Sequence, residues 1–528
     1  MFNALRNIVQ LARAGAVLAW HGAAFVPRDL QLPGPAQALT RWRGGNHAPP
    51  ARIASNGARL AKALETLGPT YIKLGQFLAT RPDIIGADLA NALTGLRDRL
   101  PPFSMAEAKA EIERAFGRPA HEIFSKLSPP LAAASIAQVH KAEVIEDGVP
   151  RAYAVKILRP DVERRFARDL DSFLFAARTI ERLDSRSRRL RPVAAVQTLA
   201  ESVALELDLR LEAAAISEMA ENIARAGDTG FRVPRVDWRH TSRRVMTLEW
   251  IDAIPLGDQA AIDAAGIDRK TLGLNVIRSF LRHAMRDGFF HADMHEGNLF
   301  VDAATADIIA VDFGIMGRLG PQERRFLAEI LHGFITKNYR RIAEVHFEAG
   351  YVPPDQDMAT FAQALRSIGE PIMDRPADEI SMARVLTQLF EVTELFNMRM
   401  RPELLLLQKT MVVVEGVARS LDRKINMWNA AEPVVRDWMA QELGPVGRLR
   451  EAAQGLSALG SVLQAAPRLI EQGVRTADAL RDANPVEKIR SADQAAGTAK
   501  HAGLGVFAVP LWLGGIGLAA IALKMWLG

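Results

Sequence analysis

The chain has 528 residues, of which 49% are apolar and 24% are charged, and its formal net charge is +5. This length and composition indicate a folded protein of roughly two to four structural units. The absence of cysteine excludes disulfides, thiolate zinc sites, cysteine-ligated iron–sulfur clusters and a cysteine nucleophile. Because basic and acidic residues nearly balance, the charge does not indicate a nucleic-acid-binding protein.

The N-terminal region is alanine-rich and is predicted to be helical. Arg6 and Arg13 precede or border the apolar residues 14–20, which could be mistaken for the core of a signal peptide. His21 interrupts this stretch and no clean cleavage site follows it. We therefore predict an amphipathic helix that can lie on a membrane.

The middle of the chain alternates between helical and strand-like patterns. A helical block follows the N-terminal region, and residues 162–218 are also predicted to be mostly helical. Strand-like segments are predicted at residues 136–144, 153–157, 231–251, 299–301 and 308–311. A helix is predicted at 272–288, and helices follow to about residue 426. A small sheet-containing lobe and a larger helical lobe together predict an α+β, bilobal fold.

The C-terminal end predicts a membrane span. Residues 503–523 contain no charged side chain, and about 20 such residues can cross a bilayer of about 30 Å. A buried hydrophobic hairpin is the alternative. Lys488, Arg490 and Lys500 precede the span, so the positive-inside tendency places the main domain in the cytoplasm. The predicted units are therefore an N-terminal helical and amphipathic region (1–67), a helical extension (68–127), the sheet-containing lobe (128–250), the helical lobe (251–426), a helical linker (427–502) and a transmembrane helix (503–524).

Three polar residues in the second half have the spacing of a kinase active site. Asp293 is followed five residues later by Asn298, and Asp312 begins an Asp-Phe-Gly triplet. Phosphoryl transfer needs divalent cations that bridge nucleotide phosphates, and magnesium prefers carboxylate and amide oxygens. Asn298 and Asp312 are therefore candidate metal ligands, while Asp293 can orient or deprotonate an attacking hydroxyl.

A competing interpretation is a zinc or iron site. His291, Asp293 and His295 occupy alternate positions, and histidine with carboxylate can bind either metal. This interpretation leaves Asn298 and Asp312 without a role.

A kinase-like site also needs a phosphate-binding lysine upstream, and Lys156 lies within the apolar segment 154–158. A lysine inside a strand is costly unless it is paired. Glu206 and Glu212 are both candidate partners on the following helices. A glycine-rich loop is missing before Lys156. In its place stand four small residues that allow close approach to phosphate, namely Ala132, Ala133, Ala134 and Ser135.

These motifs together resemble the UbiB family of atypical kinases. Lys73-Leu74-Gly75-Gln76 matches the family's K-x-G-Q signature, and the segment 206–208 matches its E-x-D motif. The alanine-rich segment 132–135 matches the loop that replaces the glycine-rich loop. The first and last of these features are specific to the family, and the resemblance spans about residues 4–421.

The resemblance implies a kinase-like fold with an N-terminal helical extension over the nucleotide cleft. It implies that Lys73 pairs with Glu206 at the active site, and that Lys156 pairs with Glu212 and approaches the phosphates. It also implies ATP and Mg²⁺ as cofactors. Residues 249–251 would form the hinge beside adenine, with Glu249 and Ile251 as the candidate binding residues. The extension would restrict access by protein substrates.

The resemblance further implies an ATP-dependent kinase or ATPase that supports ubiquinone biosynthesis at a bacterial inner membrane. Expected partners are membrane lipids, quinone-like prenylphenol intermediates, other biosynthetic proteins and a second copy of the chain. The alternative is a pseudokinase that binds nucleotide and acts as a scaffold. Direct hydroxylation needs a redox cofactor, and the sequence contains no Rossmann glycine fingerprint or cysteine to hold one.

Overall fold

The computed structural model describes residues 2–23, 50–79, 100–183, 191–373, 391–398 and 402–442, with single positions between 80 and 100 and at 388. The chain divides into two compact units. Within the described residues, the first unit comprises the chain up to Ile262 together with Glu296–Met316. The second unit comprises Asp263–His295 and the chain from Gly317 onward.

The first unit begins with helices. They are α1 (Phe2–Trp20), α2 (Pro50–Leu67), α3 (Pro69–Ala79), α4 (Met105–Phe116) and the short α5 (Ala120–Ile123). Local signals fix the ends of α4, because Ser104 and Glu107 form a capping box at its start. Gly117 ends the helix in the left-handed conformation, with a φ of 68°.

A four-stranded antiparallel sheet follows these helices. Its spatial order is β1 (Lys126–Ala133), β2 (Ala137–Glu146), β3 (Val149–Leu158) and β5 (Val245–Glu249). The predicted strands at 136–144 and 153–157 are confirmed as β2 and β3. The predictions did not include β1. Pro129 and Pro130 weaken the strand signal there, and the structure accommodates them in an edge strand whose register shifts beside Pro130.

Alternation along β3 separates the core from the site. Val155 and Ile157 are fully buried and belong to a core cluster with Ala108 and Ile112 of α4. Side chains of successive strand residues point to opposite faces. Lys156 therefore projects from the face of the sheet opposite to this core.

The rest of the first unit consists of three helices and a smaller sheet. The helices are α6 (Val162–Leu183), α7 (Pro192–Glu206) and α8 (Leu209–Ala226). The second sheet has the order β4 (Phe231–Arg232), β9 (Ile308–Ala310), β8 (Leu299–Val301) and β6 (Ile254–Pro255). Much of the predicted strand region 231–251 is instead irregular, because only its two ends form strands.

The second unit is mostly helical, as predicted. After α9 (Gln259–Ala264), which lies at the boundary, its helices are α10 (Arg269–Arg282), α11 (Pro321–Ile335), α12 (Tyr339–Glu348), α13 (Met358–Met373), α14 (Pro402–Leu421) and α15 (Met427–Glu442). Two short strands, β7 (Phe289–His291) and β10 (Met316–Arg318), pair with each other. The predicted helix at 272–288 is present, but it begins at Arg269 and its last turn, His283–Asp287, is a π-helix.

Helix α15 covers the start of the predicted linker 427–502. The indole nitrogen of Trp438 donates a hydrogen bond of 2.9 Å to the Met285 carbonyl, and both residues are buried. This part of the linker is therefore packed within the second unit. The remainder of the linker and the predicted transmembrane helix at 503–524 lie outside the described residues. Among the described helices, none has both the length and the apolar character needed to span a bilayer.

Candidate functional site

The ammonium group of Lys156 is held by two carboxylates of the first unit. Its Nζ lies 2.8 and 2.9 Å from the two carboxylate oxygens of Glu212. It also lies 3.2 Å from Oδ1 of Asp312. The strand pattern left Glu206 and Glu212 as candidate partners and the resemblance implied Glu212, a pairing that the structure confirms.

The two carboxylates of this cluster keep Lys156 charged, and the members of the cluster differ in their exposure to solvent. Burial by itself lowers the pKa of a lysine, but the carboxylates of Asp312 and Glu212 outweigh it and hold the pKa of Lys156 above its usual value. The Asp312 side chain is 55% exposed, compared with 16% for Lys156. The cluster therefore combines a mostly buried, charged lysine with an accessible carboxylate.

Helix α8 positions Glu212 in its first turn. Asp208 is the N-cap of this helix, and its side chain accepts a hydrogen bond of 3.1 Å from the Arg210 amide. Glu206 is the last residue of α7. The E-x-D motif therefore ends one helix and caps the next. An aspartate directly before a helical segment signals this capping role in the sequence.

The other lysine of the predicted site also has its own glutamate. Lys73 lies in α3, and its Nζ is 2.5 Å from Oε2 of Glu206. The side chains are only 13% and 16% exposed, so each charge depends on the other for compensation. Gly75 in the same motif packs closely, because a Cβ at that position would lie 2.7 Å from the Leu64 side chain of α2.

Asn298 and Asp312 are tied together through the backbone. The carbonyl of Asn298 accepts a hydrogen bond of 2.9 Å from the Val311 amide, next to Asp312 in the chain. Asp312 has a positive φ of 60°, which is unusual for a residue other than glycine. A Cβ at Gly314 would lie 3.4 Å from Oδ1 of Asp312, so glycine leaves this oxygen open. One carboxylate and one amide oxygen form a donor set that fits magnesium.

Asp293 belongs to the second unit, where two histidines surround it. Its amide donates a hydrogen bond of 3.1 Å to Nδ1 of His291, which is buried. Its Oδ2 lies 3.6 Å from Nε2 of His295, and its side chain is 37% exposed. Nδ1 of His291 therefore accepts a backbone hydrogen bond. In the part of the chain that the structure describes, no three histidine, aspartate or glutamate side chains are grouped to hold a metal ion.

The alanine-rich segment forms the turn between β1 and β2. Ala132 and Ala133 end β1, and the Ala134 amide donates to the Ala137 carbonyl at 2.8 Å. Ser135 is fully buried. This turn lies directly before β2 and β3, and β3 carries Lys156.

Arg159 was not among the predicted site residues, yet it fixes this turn. Its Nε and one terminal nitrogen donate to the Ala134 carbonyl at 3.0 and 2.8 Å. Its backbone amide donates to the Ile136 carbonyl at 2.8 Å. Arg244 in turn donates to the Arg159 carbonyl at 3.0 Å and is paired with the buried Glu111. The only signal in the sequence for a role of Arg159 was its position three residues after Lys156.

The predicted hinge lies at the end of β5. The Glu249 carboxylate accepts hydrogen bonds from Arg232 at 3.3 Å and from the Arg235 amide at 3.1 Å. The Glu249 amide donates to the Arg235 carbonyl, and the next amide, of Trp250, donates to Ala152. Ile251 is half-buried and follows these engaged residues. The side chain of Glu249 therefore connects the end of β5 to Arg232 and Arg235 within the first unit.

Comparison with known proteins gives consistent results. The ABC1 atypical kinase-like domain matches residues 95–346, and the UbiB helical domain matches residues 365–426. A probable protein kinase UbiB from Marinobacter nauticus is 37% identical over 470 residues, which cover 88% of this chain and 84% of that protein. The protein of the same name from Xanthomonas oryzae pv. oryzae is 41% identical over 431 residues, covering 80% and 77% respectively.

A solved structure is similar in fold. The complex of Rv3197 with erythromycin from Mycobacterium tuberculosis aligns with a TM-score of 0.50 and 24% identity. The alignment covers 68% of this chain and 90% of that chain. At this level of identity, the comparison shows a shared fold alone.

Proposed function

This chain belongs to the UbiB family of ABC1 atypical kinases, and on that basis we propose that it binds Mg-ATP and transfers or releases its terminal phosphoryl group. The observation that carries the proposal is the Lys156–Glu212–Asp312 cluster, which combines a carboxylate-paired lysine with an accessible carboxylate. A nucleotide brings phosphates that need a cation and a metal that needs an oxygen ligand. The cluster supplies both.

Each residue then has a distinct task. Lys156 binds phosphate oxygens, and Glu212 holds the lysine in place. Asn298 and Asp312 would hold magnesium, which neutralises charge on the phosphates when it is bound. Asp293 orients the attacking hydroxyl or water and accepts its proton.

The helical extension and the β1–β2 turn complete the proposed site. Residues 132–135 cover the phosphates through their backbone, as small side chains permit. The main chain at Ile251 contacts adenine, because the Glu249 carboxylate and amide are engaged elsewhere. Lys73, held by Glu206, adds a second cation to the site and restricts access by large substrates.

The proposed task is support of ubiquinone biosynthesis at a bacterial inner membrane, with the kinase domain facing the cytoplasm. The name UbiB of the relatives supports this assignment. The phosphoryl acceptor would be a lipid-linked prenylphenol or water. A membrane helix at 503–524 would hold the protein close to such intermediates, together with other biosynthetic proteins or a second copy of the chain.

The test is phosphate release from ATP by the purified full-length protein. Asp312→Asn is expected to lower the rate by about a hundredfold or more, because a metal ligand contributes several kcal/mol to transition-state stabilisation. Asp147→Asn is a matched control. It is also an aspartate with positive φ, at 50°, but it lies in the exposed β2–β3 turn. Equal rates in the two variants would contradict the metal assignment.

The same assay separates the proposed enzyme from a scaffold. Phosphate release should rise when vesicles and quinone-like phenols are added if these are the partners. Calorimetry that shows Mg-ADP binding, together with an absence of turnover under every condition, would favour the nucleotide-binding scaffold instead.

A further inference from the structure

Helix α1 has an unusual distribution of polar and apolar side chains. In its first half, the buried face carries Asn7 and Gln10, whereas the exposed positions carry Leu5 and Val9. Leu5 is 60% exposed, Val9 is 62% exposed and Trp20, at the end of the helix, is 79% exposed. In a helix that faces only water on its outer side, the exposed residues are polar and the buried residues are apolar.

Specific polar contacts fix the inner face of α1 against α6. The hydroxyl of Ser172 donates to Gln10 at 3.0 Å and lies 3.2 Å from Oδ1 of Asn7. The Gln10 amide donates to Asp169, which also accepts from Thr70 of α3 at 2.6 Å. Because these bonds set the rotation of α1, the outward direction of its apolar residues is a feature of the packed structure.

The outer residues form a narrow stripe. With 3.6 residues per turn, Leu5, Val9, Ala16 and Trp20 fall within an arc of about 60°. Arg6 and Arg13 are exposed and border one edge of this arc. Arg6 also forms an exposed ion pair of 3.3 Å with Asp171 of α6, which solvent screens. Residues 2–23 contain these two arginines and no acidic residue. We call Leu5, Val9, Ala16 and Trp20, with the two arginines, the outer face of α1.

We propose that the outer face of α1 lies on an anionic lipid surface. Apolar side chains in a stripe, a tryptophan at one end and cations along one edge are the features of an interfacial helix. A partner helix fits less well, because a continuous seam from Leu5 and Val9 would continue through Ala12, Ala16 and Ala19. These small residues offer little to bury against another helix.

This contact does not depend on phosphoryl transfer, and it is separate from any membrane span near the C-terminus. It would keep the K-x-G-Q helix α3 close to the bilayer, since α3 shares the Asp169 contact with α1. The proposal therefore concerns how the first unit meets the lipid phase from which a prenylphenol would come.

The absence of cysteine permits a site-specific test in the full-length protein. Val9→Cys is labelled with the environment-sensitive dye NBD and the protein is reconstituted into vesicles of phosphatidylglycerol and phosphatidylethanolamine. We expect a blue shift of the emission and quenching by nitroxide-labelled lipid. Ile145→Cys is the matched control, because Ile145 is 61% exposed on a hairpin of the first unit and should show neither effect. A C-terminal span cannot produce a signal at position 9.

Other outcomes would overturn the proposal. One is an unshifted, unquenched dye at position 9. Another is a shift that needs no lipid and grows with protein concentration, which would assign the face to a second copy of the chain. In the Arg6→Gln/Arg13→Gln variant, the signal should lose its preference for phosphatidylglycerol over phosphatidylcholine vesicles. A preference that persists would contradict the choice of anionic lipid. Phosphate release is measured separately, so a failure of the proposed enzyme activity leaves this test unaffected.

Discussion

Arg159 shows how a single side chain can fix the conformation of a loop without glycine, the turn at residues 132–135. The guanidinium donates two hydrogen bonds to the Ala134 carbonyl. Arg244, which is paired with Glu111, donates to the backbone carbonyl of Arg159. A turn held in this way is pre-organised, so binding of a nucleotide needs less ordering of the loop.

Substitution of Arg159 is therefore expected to weaken nucleotide binding. Arg159→Gln should raise the Kd of Mg-ADP by about tenfold, because hydrogen bonds from a charged group contribute about 1.5–3 kcal/mol. Arg159→Lys keeps the charge but not the paired N–H donors of the guanidinium, so its Kd should lie between those of the parent protein and Arg159→Gln. Isothermal titration calorimetry measures both values. The control is Arg164→Gln, whose side chain is 84% exposed, and a Kd that matches this control would contradict the role of Arg159.

The residue types of the site could be predicted from their spacing in the sequence, whereas their pairing was implied only by the resemblance to the family. Asp293, Asn298 and Asp312 lie close in the chain, so their spacing was visible. Lys156 and Glu212 are 56 residues apart. Spacing alone left two glutamates as candidates. The resemblance implied Glu212, which the structure places beside the lysine from the first turn of α8.

At the scale of elements, α2 and α3 pack through a glycine. A Cβ at Gly75 would lie 2.6 Å from Leu96 and 2.7 Å from Leu64, closer than a packed core permits. The glycine in the K-x-G-Q motif therefore has a packing role beside the charged role of Lys73.

Gly75→Ala is expected to destabilise the protein by about 1–3 kcal/mol, because the neighbouring leucines must move to admit the methyl group. Gly416→Ala is the matched control. Gly416 lies in α14 with open space around it, so alanine should stabilise the helix by up to about 1 kcal/mol. Urea unfolding monitored by circular dichroism compares the two. Equal shifts in the same direction would contradict the close packing of α3.

Helix α12 contains a partly buried histidine with a predictable effect on stability. Burial lowers the pKa of His346, and the hydrogen bond to the Ile342 carbonyl opposes this only in part. Its ring packs against Tyr351 and Phe361, with centroids at 6.0 and 5.3 Å. The folded state therefore favours the neutral imidazole.

Because the folded pKa is depressed, this stabilising contribution is present above the unfolded value of about 6.5 and is lost as the pH falls below it. His346→Phe should make stability less sensitive to pH between about 7 and 5, because phenylalanine has no proton to bind. Thermal unfolding at a series of pH values measures this. His121 lies on the exposed side of α5, and His121→Gln should keep the slope of the parent protein. An unchanged slope for His346→Phe would show that other groups cause the acid sensitivity.

At the scale of the whole molecule, the chain combines a first unit with two small sheets and a second unit made mostly of helices. The predicted mixed helix and sheet composition of a kinase-like fold is confirmed. The proposed membrane contacts lie at the two ends of the sequence, at α1 and at residues 503–524.

A stop codon after Ala502 is expected to remove membrane association that resists alkaline carbonate, because a transmembrane helix is held by its apolar length and a surface helix is not. Fractionation of cells with an immunoblot of the pellet and supernatant measures the change. The full chain treated in parallel is the control. Carbonate-resistant protein in the truncated sample would place the strongest anchor elsewhere in the chain.

The sequence alone was enough to predict the residue types of the proposed kinase-like site, since the Asp-x₄-Asn and Asp-Phe-Gly spacings and the apolar strand around Lys156 are local patterns. Short-range spacing is sufficient there because each motif occupies one turn or one strand. The tertiary structure confirmed the pairings of Lys73 with Glu206 and of Lys156 with Glu212 that the resemblance implied. It alone decided the contacts of Arg159, the proline-containing strand β1 and the outward direction of Leu5 and Val9. These features depend on contacts between segments distant in the chain, which periodicity and spacing do not encode.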